Sequence, residues 1–260
     1  MRLTLAALNV GLGLVYVLLG VIFLIDLKRG WRTMGYSHLG VAMVAMAFTC
    51  GPHHLEHGLH LALAGRPAGP MEVLALVVGL PPAAFWAALR LEALAGGRGD
   101  RFVGGTPRWL ATLPQVFAGY ALVVGATLLL LLGDGSTFDR RLVPNVVLIG
   151  MYGTIASYLL RTQRANRASL GGWSVSGLSL TGLFSTCAVM HATWLAYAVA
   201  GTYDIDGHGV IVSWLSVPAA LYFLWVVRAL WLGTVTDWNH TATGLVHEGL
   251  AEETDPLVAA

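Results

Sequence analysis

Over residues 3–25 the chain carries no charged side chain, and further apolar runs follow at residues 38–65, 71–95, 109–132, 142–160, 173–201 and 210–233. An α-helix rises about 1.5 Å per residue, so about 20 residues cross a hydrocarbon core about 30 Å thick. Inside lipid the backbone must satisfy its own hydrogen bonds, which leaves only helices or a closed barrel, and runs this long are the helical solution. The expectation is an all-α integral membrane protein with seven transmembrane helices and the lipid bilayer as its first partner. Composition agrees: 11% of residues are charged, against roughly a quarter in soluble domains. The net charge of +1, with no basic patch interleaved with aromatics, gives no support to a nucleic-acid partner. The first run, residues 3–27 as a span, is too long for a signal-peptide core, and no small-residue cleavage site follows it. Two cysteines in apolar segments imply no disulfide framework.

Orientation follows from the basic residues of the short loops. Those after spans 1, 3 and 5 carry three each, whereas those after spans 2, 4 and 6 carry one, two and none. The N-terminus is therefore expected outside and the polar, mobile tail 237–260 in the cytoplasm, as in a bacterial-type cytoplasmic membrane. Span 1 is expected to end at the basic turn 28–32 and span 3 to kink at Pro81-Pro82. Arg90 and Arg228 should snorkel to the inner surface, and Trp109, Trp173, Trp214, Trp231 and Trp238 should anchor interfaces.

Self-comparison adds an internal repeat. Asn9-Val10-x-Leu12-x-x-x-Tyr16 returns as Asn145-Val146-x-Leu148-x-x-x-Tyr152, 136 residues later, and Pro82-Ala83-Ala84 returns as Pro218-Ala219-Ala220 at the same offset. Gly40, Thr49, Cys50 and His54 return as Gly177, Thr186, Cys187 and His191, 137 residues later. The membrane domain 1–236 then divides into repeat 1 (3–95), a linker helix (109–132) and repeat 2 (142–233). One intervening helix gives the halves the same orientation, a 3+1+3 parallel internal repeat about a pseudo-twofold axis along the membrane normal. Cys50 and His54 should then face Cys187 and His191.

Those residues carry the chemistry. Ionisable side chains inside a span are costly and mark function. At 100° per residue, Cys50, His53, His54, His57 and His60 share a sector of about 120° on one helix face, flanked by Glu56. Cys187 and His191, four apart, share a face of span 6. Cys50, His54, Cys187 and His191 make a two-cysteine, two-histidine set, suited to copper, toward which nearby Met190 tilts it, or to zinc. Alternatively, His54 and His191 are the two axial ligands of a b-type haem. His53, His57 and His60 form an additional outer site, with Glu56, Asp204, Asp206 and His208 around it and Glu72 either joining it or meeting water. A Cys50–Cys187 disulfide is a further arrangement. Asn9 and Asn145 are expected to make interhelical hydrogen bonds.

The function these residues point to is metal- or haem-binding in the extracytoplasmic half, redox-linked or metal-handling, with a metal ion or small redox partner. A transporter or channel passing a transition-metal ion or proton along the histidine stripe is the alternative. A seven-helix sensor or scaffold without cofactor, using its acidic tail, is the third. The only lysine, Lys28, lies outside the apolar runs and excludes a retinal Schiff base. No H-E-x-x-H, phosphate-binding glycine loop or nucleophile elbow occurs. Met190-His191-Ala192-Thr193 is similar to the Met-His-Tyr-Thr signature of a membrane sensor family at three positions. Ala192 replaces its tyrosine and His53-His54-Leu55-Glu56 does not match it, so no family is read from it.

Overall fold

The computed structural model describes residues 1–64, 69–105, 119, 122, 126, 139–201, 203 and 207–238. They form helices α1 (Arg2–Met34), α2 (His38–Ala64), α3 (Pro70–Leu94), α4 (Val143–Asn166), α5 (Val175–Val199) and α6 (Gly207–Trp231). Five are long and apolar enough to cross a membrane, and α2, which carries the histidine run, falls outside that set. The chain is a helical, multi-pass membrane protein. The expected span 109–132 lies outside the described residues apart from Gly119, Leu122 and Ala126, as does the tail beyond residue 238.

The helices close a ring. α1 packs on α2 and α3, α5 packs on α3 and α4, and α6 packs on α2 and α4. The order around the ring is α1, α2, α6, α4, α5, α3. Exchanging α1 with α4, α2 with α5 and α3 with α6 leaves every one of these pairings unchanged. Leu12, Ala83, Leu148, Tyr152, Ala220 and Phe223 are fully buried. Leu14, Phe85 and Leu221 are exposed, as the lipid-facing surface of a bundle requires. Between α1 and α2 the backbones nearly touch. A Cβ on Gly13 would stand 2.9 Å from the Gly51 carbonyl oxygen, and one on Gly58 equally close to that of Ala6. Small residues at such a crossing replace the hydrophobic drive that lipid removes.

Several local expectations are corrected. α1 does not stop at the basic segment 28–32 but runs on to Met34. Nothing in that segment breaks a helix: Arg29 Nη1 donates to Leu94 O at the end of α3, and Arg32 suits the negative end of the dipole. Gly35, at φ 79°, ends it. α4 likewise continues past residue 160 to Asn166. The helical architecture carries one small addition: Phe102–Val103 pairs antiparallel with Trp173–Ser174 in a two-residue ladder, β1 with β2. Arg90 does not snorkel. It is 1% exposed, and its Nη2 donates to Gly99 O at 2.6 Å. Trp173 is buried beneath the Arg167 guanidinium instead of anchoring an interface.

The starts of α2 and α5 are closed by the same composite cap, which each borrows from elsewhere in the ring. Ser37 Oγ accepts from Gly40 N, while Asp237, beyond α6, accepts from Ser37 Oγ and Leu39 N. Ser174 Oγ accepts from Gly177 N, while Asp100, beyond α3, accepts from Ser174 Oγ and Ser176 N. The serine satisfies the third amide of the helix and the aspartate the second, groups that a helix leaves unpaired. Each carboxylate also sits at the positive end of a helix dipole. Asp100→Ala and Asp237→Ala should each cost about 2 kcal/mol, the range for a charge-assisted hydrogen bond lost in a buried site. Thermal melts of the detergent-purified variants check this, and the two Tm shifts should be similar.

Candidate functional site

α2 and α5 carry the ionisable residues, and both present them at one depth. At about 1.5 Å per residue, Cys50 and Cys187 lie about 18 Å from the first residues of their helices, and His54 and His191 about 24 Å. Cys50, His53, His54, His57, His60, Cys187 and His191 all line one cleft of about 920 Å³, counting the space in its mouth. Asn9, Asn145, Tyr152, Glu56, Glu72, Ser213 and Ser216 add to its polar wall. Among the described residues, no three His, Cys, Asp or Glu side chains stand close enough to hold one ion as they are.

The two inner histidines are oriented identically. Asn9 Nδ2 donates to the Leu5 carbonyl at 3.0 Å, which turns its Oδ1 toward His54 Nδ1 at 2.9 Å. An amide oxygen only accepts, so His54 Nδ1 carries the proton and donates. Asn145 repeats the device: its Nδ2 donates to Ser213 Oγ, and its Oδ1 accepts from His191 Nδ1 at 2.7 Å. The ring nitrogen left on each imidazole is Nε2, with its lone pair available as a ligand. Both asparagines thus make the interhelical bonds their type implies. His53 stands between the two anchored rings, its centroid 5.9 Å from that of His54 and 5.7 Å from that of His191.

Below the imidazoles the tyrosines of α1 and α4 tie the thiols of α5 and α2. The Tyr16 hydroxyl, on α1, pairs with Cys187 Sγ at 2.9 Å, and the Tyr152 hydroxyl, on α4, pairs with Cys50 Sγ at 3.6 Å. Tyr16 also stacks on His54 at 5.6 Å, and Tyr152 lies against His191 at 5.5 Å. Both cysteines are free and buried. The four residues of the two-cysteine, two-histidine set therefore share one neighbourhood, with imidazoles bound to asparagines and thiols to phenols.

The mouth is asymmetric. Glu72, at the start of α3, is 7% exposed, lies 3.9 Å from His57 Nε2 and accepts a short hydrogen bond from the Tyr203 hydroxyl. Tyr203 in turn accepts from Gly69 N at 2.7 Å. Burial first, and then the bond to Glu72, push the Tyr203 phenol above its ordinary range, so it remains the donor. His60 pairs with Glu56 one turn away at 3.1 Å. Asp204 and Asp206 lie outside the described residues, as does the side chain of His208. Tyr203 had no sequence signal, being an isolated tyrosine in a loop.

Nitrogen NMR of histidine-labelled protein should find His54 and His191 in the Nδ1–H tautomer, the reverse of the preference of free imidazole side chains. Asn9→Leu should release His54 alone and Asn145→Leu should release His191 alone.

Set against known proteins, the chain matches no family model, no curated protein and no solved structure.

Proposed function

We propose that this protein binds a transition-metal ion in the extracytoplasmic half of the membrane, through Nε2 of His54 and His191 with His53 as third imidazole. The observation that carries the reading is the pair of asparagine-to-Nδ1 hydrogen bonds. Ligating histidines almost always donate their other ring N–H to an oxygen, which fixes tautomer and ring and raises ligand basicity. Here that support stands behind two histidines at equal depth on different helices. The His53 ring lies within ring-contact distance of both anchored imidazoles. Imidazole donors suit copper or zinc, and Glu72, Glu56, His57 and His60 make an acidic and imidazole-rich entry from outside. A b-type haem between His54 and His191 is the weaker form of this reading, because the His53 ring stands between them.

The proposal includes the finer architecture: seven spans, a 3+1+3 parallel repeat, N-terminus outside, in a bacterial-type cytoplasmic membrane. It is supported by the exchange symmetry of the helix pairings, by the matched asparagine–histidine and tyrosine–cysteine pairs, and by the matched caps. A cysteine introduced by Arg98→Cys should react with an impermeant maleimide only from the cytoplasmic side.

Metal binding is tested by titrating stripped, detergent-purified protein with Cu(II) and Zn(II), followed by elemental analysis. One equivalent is expected per chain, abolished by His54→Ala or His191→Ala. Asn9→Leu and Asn145→Leu should weaken it about 10–100-fold, the usual cost of losing the oxygen that a ligating histidine donates to. A Soret band in the purified protein would instead establish the haem form. A colourless, metal-free protein unaffected by the histidine substitutions would overturn both.

A further inference from the structure

The imidazole centre leaves two buried nucleophiles without a role. Cys50 and Cys187 line the outer cleft, but they also line a second, much smaller cavity beneath it. The two cavities have only these two residues in common among their described linings. The thiols are thus the floor of the upper space and the roof of the lower one. Met43 and Met46 line the lower cavity and are 3% and 6% exposed. Residues 43, 46 and 50 follow the i, i+3, i+7 spacing that keeps side chains on one helix face. The remaining walls are mostly aliphatic and aromatic.

A buried space whose donors are two thiols and two thioethers is a soft ligand field. Sulfur ligands of this kind select Cu(I) over harder ions, whereas imidazoles also accept Cu(II) and Zn(II). We infer that Cys50 and Cys187, supported by Met43 and Met46, form a separate site for a soft monovalent cation of the Cu(I) class at the junction of the two cavities. Binding converts M⁺ and two R–SH into M(SR)₂⁻ and two protons, and the protons leave through the outer cleft. No change of oxidation state is needed. Tyr16 and Tyr152 already hold the two sulfurs through hydrogen bonds, and their hydroxyls become donors to the thiolates. Trp86, lining the same cavity, keeps its indole N–H without a hydrogen-bond partner. It is a further donor in a space that receives net negative charge.

This site stands apart from the imidazole centre, so the two can fail separately. The probe is Ag(I), a redox-inert soft monovalent ion, added to reduced, metal-stripped, full-length protein in detergent. Bound silver is measured by equilibrium dialysis with elemental analysis, and accessible thiols are counted after denaturation in a silver-retaining buffer. One silver per chain should bind and should protect both thiols together. Met43→Leu with Met46→Leu, substitutions that keep volume, should weaken binding. Cys50→Ser or Cys187→Ser should abolish it, and His54→Ala with His191→Ala should leave it intact. Two equivalents that protect the thiols one at a time would overturn the inference, as would full binding by the cysteine variants. Loss of silver in correctly folded histidine variants would overturn it too, in favour of a single mixed centre. The thiol count on unaltered protein decides the matter even if a cysteine variant does not fold. Failure of the imidazole reading is seen independently, as absence of Zn(II) binding in the unaltered protein.

Discussion

A polar group inside a lipid-covered helix bundle has no water to fall back on, so it must find its partner within the bundle or face the cleft. Leaving a hydrogen-bonding group unpaired in such surroundings costs several kcal/mol. That constraint organises this molecule more than any apolar contact does, because lipid tails are as apolar as leucine and supply no preference for one helix over another. The six helices are tied at two levels. At one level, Asp100 and Asp237 close the starts of α5 and α2 from the ends of neighbouring helices. Further along the bundle, Asn9 and Asn145 hold the histidines, while Tyr16 and Tyr152 hold the opposite thiols. These polar ties fix rotation and register of the helices, and the apolar residues fill the space that remains.

The ties also separate what is rigid from what reacts. Each asparagine spends its oxygen on Nδ1, and one amide hydrogen on a carbonyl or a serine, so neither can turn without leaving a donor or acceptor unpaired. Nε2 of each imidazole is the group the arrangement leaves to the cleft. The thiols, by contrast, are held by contacts of 2.9 and 3.6 Å to hydroxyls that are able to donate or accept. Such a contact survives either protonation state of the sulfur. Fixed imidazoles above and protonation-tolerant thiols below are two kinds of donor with different chemical preferences.

Much of this was legible in the sequence where rare residues recur. Asn, Tyr, Cys and His at a near-constant offset of 136 or 137 marked residues that the structure gathers in one neighbourhood, Tyr16 beneath the cleft and the others lining it. The same offset also relates Ser37 to Ser174 and Asp100 to Asp237, a match in short polar segments whose capping partners are distant in the chain. It was readable in principle, but serine and aspartate in loops carry little information until the bond is seen. Helix ends were less legible because basic residues look like a membrane exit, although α1 and α4 simply continue through them. The burial of Arg90 could not be read at all. It depends on the carbonyl of Gly99 being folded back over α3, a loop geometry with no periodic signature.

The offset of 136 or 137 residues pairs the side chains on the floor of the cleft but not those at its mouth. At the offset of 137, His53 corresponds to Met190, His57 to Trp194 and His60 to Tyr197. One wall near the opening therefore carries imidazoles and, from α3, a buried carboxylate, while the corresponding positions of α5 carry a thioether and aromatic rings. Had both walls kept the histidines, clustered cations would raise the cost of any protonated state in a space already poor in water. Had neither kept them, a cation would meet an apolar entrance and pay its desolvation with nothing to replace the lost water. On the metal-binding reading, the polar groups on one side would replace part of the hydration shell of an entering ion. On the same reading, the matched histidines deeper down, each held by its asparagine, would receive the ion.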